Sequence, residues 1–194
     1  MKIINDYLQE SFNPPTLGSV THYLFDFDHV IAVYNKYSAQ PEYRSMIINI
    51  LKKRKKEKKD FIKSAKELGY SFDQVKKLLH ELAIHMKVNK KILNLIKEIK
   101  KKTDYKVVIA TNNAPVVINY FLAFLGIDHL FDVKFHPEYA NWIWKPDKKY
   151  FTKLQSLLKV PFNEMWFIDD DPNNINAFKQ LGGNVTWYRK MKNE

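Results

Sequence analysis

Short apolar runs that stop abruptly at polar residues recur along the chain. Residues His22 to Asp28 read HYLFDFD, an apolar and aromatic stretch ending in two carboxylates, as a buried parallel strand does where its C-terminal end meets solvent. KVVIATNN repeats the pattern, running into Thr111 to Asn113, and Met165, Trp166, Phe167 and Ile168 lead into Asp169, Asp170 and Asp171. Phe131 to Phe135 predicts a further short strand, followed by a loop that carries Lys145. Between these runs the apolar period changes to three and four. Ile92, Leu95, Ile96 and Ile99 predict a helix ending in Lys100 to Lys102, where cations suit the helix dipole. Val116 to Leu125 predicts a helix stopped by Gly126, Tyr150 to Leu158 another, and Asn173 to Leu181 a last one stopped by Gly182 and Gly183. Strands alternating with helices predict an α/β fold: a Rossmann-like parallel sheet covered by helices on both faces.

From Ser38 to Met86 the texture is helical throughout, with Tyr43, Ile47, Ile50 and Leu51, then Phe72, Val75, Leu78, Leu79 and Leu82 at helical spacing. Ser71 with Gln74 has the form of a capping box opening the later helix. The expected division is therefore an α/β core from residues 1–34 and 89–194, with a small all-helical domain, 35–88, inserted after the first strand. The run KKRKKEKK, Lys52 to Lys59, is the densest charge in the chain. It reads as a solvated helical face rather than a nucleic-acid contact, because no aromatic interrupts it to stack on bases.

Composition narrows the chemistry. With 194 residues the chain fits one domain, or a domain with a small insert. The absence of cysteine excludes disulfides, thiolate metal sites and a cysteine nucleophile, so any metal binds oxygen or imidazole. The formal charge of +11 raises nucleic acid as a partner, but the basic residues are 29 Lys and 3 Arg, and bidentate phosphate or base recognition favours Arg. The first 18 residues contain Asp6 and Glu10 and lack the apolar stretch of a secretory signal. No apolar run approaches the roughly 20 residues needed to span a bilayer, so a soluble, cytoplasmic protein with no membrane partner is expected.

In a parallel sheet, ligands bind outside the carboxyl ends of the strands. Four strand ends or following loops deliver Asp26 with Asp28, Thr111, Lys145, and Asp169 with Asp170; any pair alone is weak, but common placement makes a site. These residues resemble the haloacid dehalogenase-like (HAD) superfamily. LFDFDHVI is similar to its first motif, VVIATNN to its second, WKPD at Trp144 to Asp147 to its third and FIDDDPNNINAF to its fourth, in matching order from about Tyr23 to Gly183. The helical insert falls where the C1 cap of the superfamily's first subfamily sits.

The resemblance implies a magnesium-dependent phosphatase acting on a small phosphorylated metabolite. Asp26 is then the nucleophile that forms a transient aspartyl phosphate, and Asp28 the general acid and base. Thr111, assisted by the Asn112 backbone N–H, holds the phosphate, and Lys145 balances its charge and that of the nucleophile. Mg2+ is implied on the Asp26 side chain, the Asp28 carbonyl and the Asp170 side chain, with Asp169 behind or reaching through water. Two positions depart from the family pattern: His29 stands where Gly is common, and Asn174 where many relatives carry Asp, which reduces the negative charge available to magnesium. Asp28 disfavours dehalogenation, since a departing halide needs no proton. A sugar-phosphate mutase, a phosphatase for nucleotides or nucleic-acid ends, and a non-catalytic nucleic-acid-binding module are the alternatives. Trp142 and Trp144, beside Lys145, are candidate pocket walls or packing residues, and Tyr34, Tyr37, Arg44 and His85 lie near the insert's boundaries without a ranked role. The oligomeric state is not legible in the sequence.

Overall fold

The computed structural model describes residues 19–34 and 40–188. The expectations for the first 18 residues, for Tyr37 and for Ser38 lie outside the described residues. The chain divides into two compact units, one formed by residues up to Ala32, Val88–Asn112 and those from His129 onward, the other by Val33–Lys87 and Asn113–Asp128.

The first unit is built on a parallel sheet of β1 (His22–Phe25), β4 (Lys106–Ala110), β5 (Val133–Phe135), β6 (Met165–Asp169) and β7 (Asn184–Trp187), in the order β5-β4-β1-β6-β7. The three central strands are the apolar runs of the sequence. Leu24 pairs with Val108 on one side and Phe167 on the other, and all three are fully buried, as residues covered on both faces of a sheet must be. Helix α4 (Lys90–Lys100) starts at Asn89, whose side chain accepts from the Lys91 and Ile92 N–H groups, and buries Ile92, Leu95, Ile96 and Ile99. Helices α6 (Lys148–Leu158) and α7 (Pro172–Lys179) contribute Phe151 and Phe178, which meet Phe167 with ring centroids 5.4 and 5.2 Å apart. Strand β7 has no apolar run; it is placed by its register with β6, in which Trp187 lies opposite Asp169. Two short strands, β2 (Ala32–Tyr34) and β3 (Met86–Val88), form a separate two-stranded sheet that the pattern of residues does not predict.

The order of the five strands decides where a ligand can bind. From β1 the chain steps outward to β4 and β5, then reverses past β1 to β6 and β7. The point of reversal opens a crevice beyond the carboxyl end of β1, between those of β4 and β6. Asp26, Thr111 and Asp169 are the residues at those three ends.

The second unit contains α1 (Pro41–Glu57), α2 (Phe61–Glu67), α3 (Phe72–Ile84) and α5 (Pro115–Phe124). The capping box is present: Ser71 Oγ accepts the Gln74 N–H, and Gln74 Oε1 accepts the Ser71 N–H. Residues 113–128 group with the inserted helices rather than with the sheet. Tyr120 and Phe124 of α5 meet His80 of α3, by a 3.3 Å contact between Tyr120 Oη and His80 Nδ1 and an edge-to-face ring contact at 5.8 Å.

The basic run also differs from a uniform solvated face. Arg54 is only 2% exposed, and its Nη2 donates to the Asn113 carbonyl at 3.5 Å. Met46, Ile50 and Arg54 succeed one another at intervals of four, so Arg54 falls on the buried stripe of α1 despite its charge. Lys53 and Lys59 engage Glu57 and Glu67 at 2.7 to 3.3 Å, so part of the run is paired within the unit. Among the described residues, no helix is long and apolar enough to cross a membrane.

Candidate active site

Four of the residues expected at the site come together at the crevice. Asp26 follows β1 and is 9% exposed; its backbone N–H donates to the Ile168 carbonyl at 2.9 Å, tying it to β6, and its Oδ1 accepts the Phe27 N–H at 2.8 Å. Lys145 reaches in from the loop after β5. Its Nζ lies 3.0 Å from Asp26 Oδ1 and 2.6 Å from Asp169 Oδ2, with its side chain 1% exposed. It also sits over the Phe167 ring, 5.2 Å from the centroid. Asp169 is fully buried and saturated with donors: besides Lys145, its oxygens accept Asn174 Nδ2 at 3.0 and 3.1 Å and the Asp171 N–H at 2.8 Å. Asp170 is half-buried, and its backbone carbonyl accepts the Trp187 indole N–H at 2.9 Å.

Thr111 is buried at the end of β4, where its N–H donates to the Phe135 carbonyl at 3.0 Å. Tyr150, at the start of α6, joins the same strand ends: its hydroxyl lies 3.0 Å from the Thr111 carbonyl and 2.9 Å from that of Phe135. The sequence does not single out Tyr150, because YFTKLQSLL reads as any amphipathic helix and its partners are carbonyls that no residue type encodes. Asn112 is expected to act through its backbone N–H, yet its side chain has a role of its own. Asn112 Nδ2 donates to the Lys145 carbonyl at 3.2 Å, and Asn112 Oδ1 accepts the Lys145 N–H at 2.9 Å.

Asp28 lies in the turn after Asp26, partly exposed, in a bridge with Ala32. His29 is exposed at φ 61°, and its N–H donates to the Ala32 carbonyl at 2.8 Å. The left-handed backbone accounts for a position that suits glycine, since a side chain there costs about 1 kcal/mol.

The electrostatics follow from burying three carboxylates with one ammonium. Burial pushes the Asp26 carboxyl up to about 8; Lys145 opposes the rise, while Asp169 and Asp28 add to it. Asp170 is raised by burial and by Asp169, with His29 and Lys145 opposing. Burial acts to lower Lys145, but Asp26 and Asp169 outweigh it and hold the ammonium above its ordinary value. The Tyr150 hydroxyl is pushed far up by burial and by Asp26 and Asp169, so it stays protonated and donates.

A divalent cation fits this excess of negative charge. Asp26, Asp169 and Asp170 each present a carboxylate oxygen within 4.8 Å of the others, an all-oxygen set of the kind magnesium and calcium prefer. Asn174 Oδ1 is buried and without a hydrogen-bond partner among the described residues, leaving an acceptor beside the carboxylates for a cation-bound water.

At the switch point of its parallel sheet the chain gathers carboxylates, a lysine and a threonine around one place where a cation and an anionic ligand can meet. A family model described as haloacid dehalogenase-like hydrolase matches residues 20–182, and the chain belongs to that family. The fold is similar to that of a HAD-family enzyme from Bacteroides thetaiotaomicron solved with magnesium and inorganic phosphate, at 15% identity and TM-score 0.67 over 90% of this chain and 96% of that one. It is similar also to L-2-haloacid dehalogenase from Xanthobacter autotrophicus, at 17% identity and TM-score 0.61 over 86% and 76% of the two chains. A third similar structure is a predicted HAD-like family hydrolase from Porphyromonas gingivalis, at 18% identity and TM-score 0.64 over 87% and 91%. No curated protein matches the sequence.

Proposed function

We propose that this hydrolase cleaves a small phosphate monoester with the help of magnesium, through an aspartyl phosphate, the acyl phosphate formed on Asp26. The observation that carries the reading is the ion-pair geometry around Lys145, which sets an ammonium 3.0 Å from Asp26 while Asp169 anchors it from behind at 2.6 Å. A buried carboxyl pushed up to about 8 holds a proton at neutral pH, and a protonated carboxyl is a poor nucleophile. Lys145 draws Asp26 toward the ionised form. Asp26, Asp170 and the Asp28 carbonyl would hold magnesium, which would supply the remaining positive charge and screen the phosphate from the carboxylates.

In the first step an Asp26 carboxylate oxygen attacks phosphorus, the bond to the leaving oxygen breaks, and Asp28 gives that oxygen a proton. In the second, the Asp28 carboxylate takes a proton from water as it attacks the same phosphorus, and Asp26 leaves as a carboxylate with inorganic phosphate as product. Thr111 and the Asn112 N–H hold the phosphate through both steps. Asp28 favours this chemistry over halide displacement, in which no departing group needs a proton.

Phosphate release from p-nitrophenyl phosphate and a panel of phosphorylated metabolites, with magnesium and with EDTA, tests the reading. Magnesium-dependent turnover that Asp26→Asn abolishes is expected. Turnover that survives EDTA, or near-wild-type rates in Asp26→Asn, would overturn it.

A further inference from the structure

We infer that the Asn112 side chain is a positioning residue that sets the Lys145 ammonium against Asp26; the inference rests on the role proposed for Lys145. The side-chain amide meets the peptide of one residue with both its ends: Asn112 Oδ1 accepts the Lys145 N–H at 2.9 Å and Nδ2 donates to the Lys145 carbonyl at 3.2 Å. Two bonds to the N–H and C=O of a single residue fix its place and orientation, as one rung of a strand pairing does. The loop carrying Lys145 is irregular and passes through left-handed backbone at Asn141 (φ 55°) and Trp142 (φ 61°). It therefore has no sheet ladder to hold Lys145, and the amide supplies the missing rung.

The other end of the clamp is anchored. Asn112 follows Thr111, whose N–H is bonded to the Phe135 carbonyl and whose carbonyl accepts from Tyr150. A run of hydrogen bonds thus leads from the exits of β4 and β5, through Asn112, to Lys145 and on to Asp26 and Asp169. A lysine has four side-chain torsions to restrict, so fixing its backbone sharpens where Nζ can lie. Misplacing a catalytic group by about 1 Å costs about 100-fold in rate.

This role differs from phosphate binding by the Asn112 backbone N–H, which any side chain at 112 would leave in place. Asn112 is otherwise exposed, so truncation should spare the fold. In Asn112→Ala, kcat for p-nitrophenyl phosphate is expected to fall by about 10- to 100-fold with KM changed less than about 3-fold. In a Lys145→Ala background, where there is no ammonium to place, the same substitution should change kcat by less than about 2-fold. Equal losses in both backgrounds, or no loss in either, would overturn the inference.

A second readout needs no turnover. Reductive methylation of Lys145, followed by peptide mass spectrometry, should be slow in the wild type and about 10-fold faster in Asn112→Ala, with melting temperature and circular dichroism unchanged. A labelling rate unchanged by Asn112→Ala would refute the clamp even where no substrate is turned over. If wild-type protein hydrolyses nothing while labelling responds as expected, the clamp stands and the phosphatase reading fails.

Discussion

Adjacent aspartates with opposite jobs make the sharpest stability prediction. Asp169 is buried and accepts from Lys145, Asn174 and the Asp171 N–H, whereas the half-buried Asp170 carboxyl is raised by burial and by Asp169. Asp169→Ala removes one of the two carboxylates beside a buried ammonium and leaves an amide and a backbone N–H without their acceptor. Breaking a buried ion pair from one side costs about 3 to 5 kcal/mol. At about 2 to 4 °C per kcal/mol for a protein of this size, the midpoint should fall by about 6 to 20 °C. Asp170→Ala removes a carboxylate that the protein itself disfavours, and should change stability by less than about 0.5 kcal/mol or raise it slightly. Urea denaturation of both variants in EDTA at pH 7, with circular dichroism and fluorescence as coincident probes, gives both values. With magnesium added, the wild type should gain stability and Asp170→Ala should not. If Asp170→Ala were the more destabilised variant in EDTA, the division of labour argued from the geometry would be wrong.

Asp26 makes cation-free stability depend on pH. Its folded value, about 8, lies above its ordinary 3.8, so the folded state retains a proton that the unfolded chain releases. Asp26's contribution is fully present below about pH 4 and is lost as pH rises through about 8. Melting curves in EDTA from pH 5 to 9 should therefore show Asp26→Asn gaining on the wild type as pH rises; a pH-independent difference would contradict this. Tyr150→Phe removes a buried hydroxyl shared by the Thr111 and Phe135 carbonyls and should cost about 1 to 2 kcal/mol in urea denaturation. It should also slow hydrolysis by loosening Thr111, and unchanged stability would show that the hydroxyl bonds are dispensable.

Much of the frame is legible in the sequence because burial on both faces forces β1, β4 and β6 to be continuous apolar runs, and the residue that ends each run marks the rim of the sheet. What escapes has physical causes. Strand β7 is placed by pairing with β6 rather than by apolar content, and β2 and β3 are too short to show a period. Arg54 hides within a lysine-rich run, although its spacing from Met46 and Ile50 is a signal that burial can be read from. Grouping of residues 113–128 with the inserted helices depends on how Tyr120 and Phe124 meet His80, a tertiary fact. At the site the types of the chemical groups are legible, whereas their wiring is not. That Asp169 is filled by protein donors, that Asn112 grips the Lys145 backbone and that Tyr150 links two strand ends are set by the tertiary arrangement, which no local pattern of residues encodes.

The central chemical claim is that phosphorus becomes bonded to Asp26. Rapid quenching during turnover of p-nitrophenyl phosphate with magnesium, followed by borohydride reduction, converts an aspartyl phosphate to homoserine, which peptide mass spectrometry locates. Homoserine at position 26 is the predicted result, and its absence during confirmed turnover, or its appearance at another aspartate, would contradict the account.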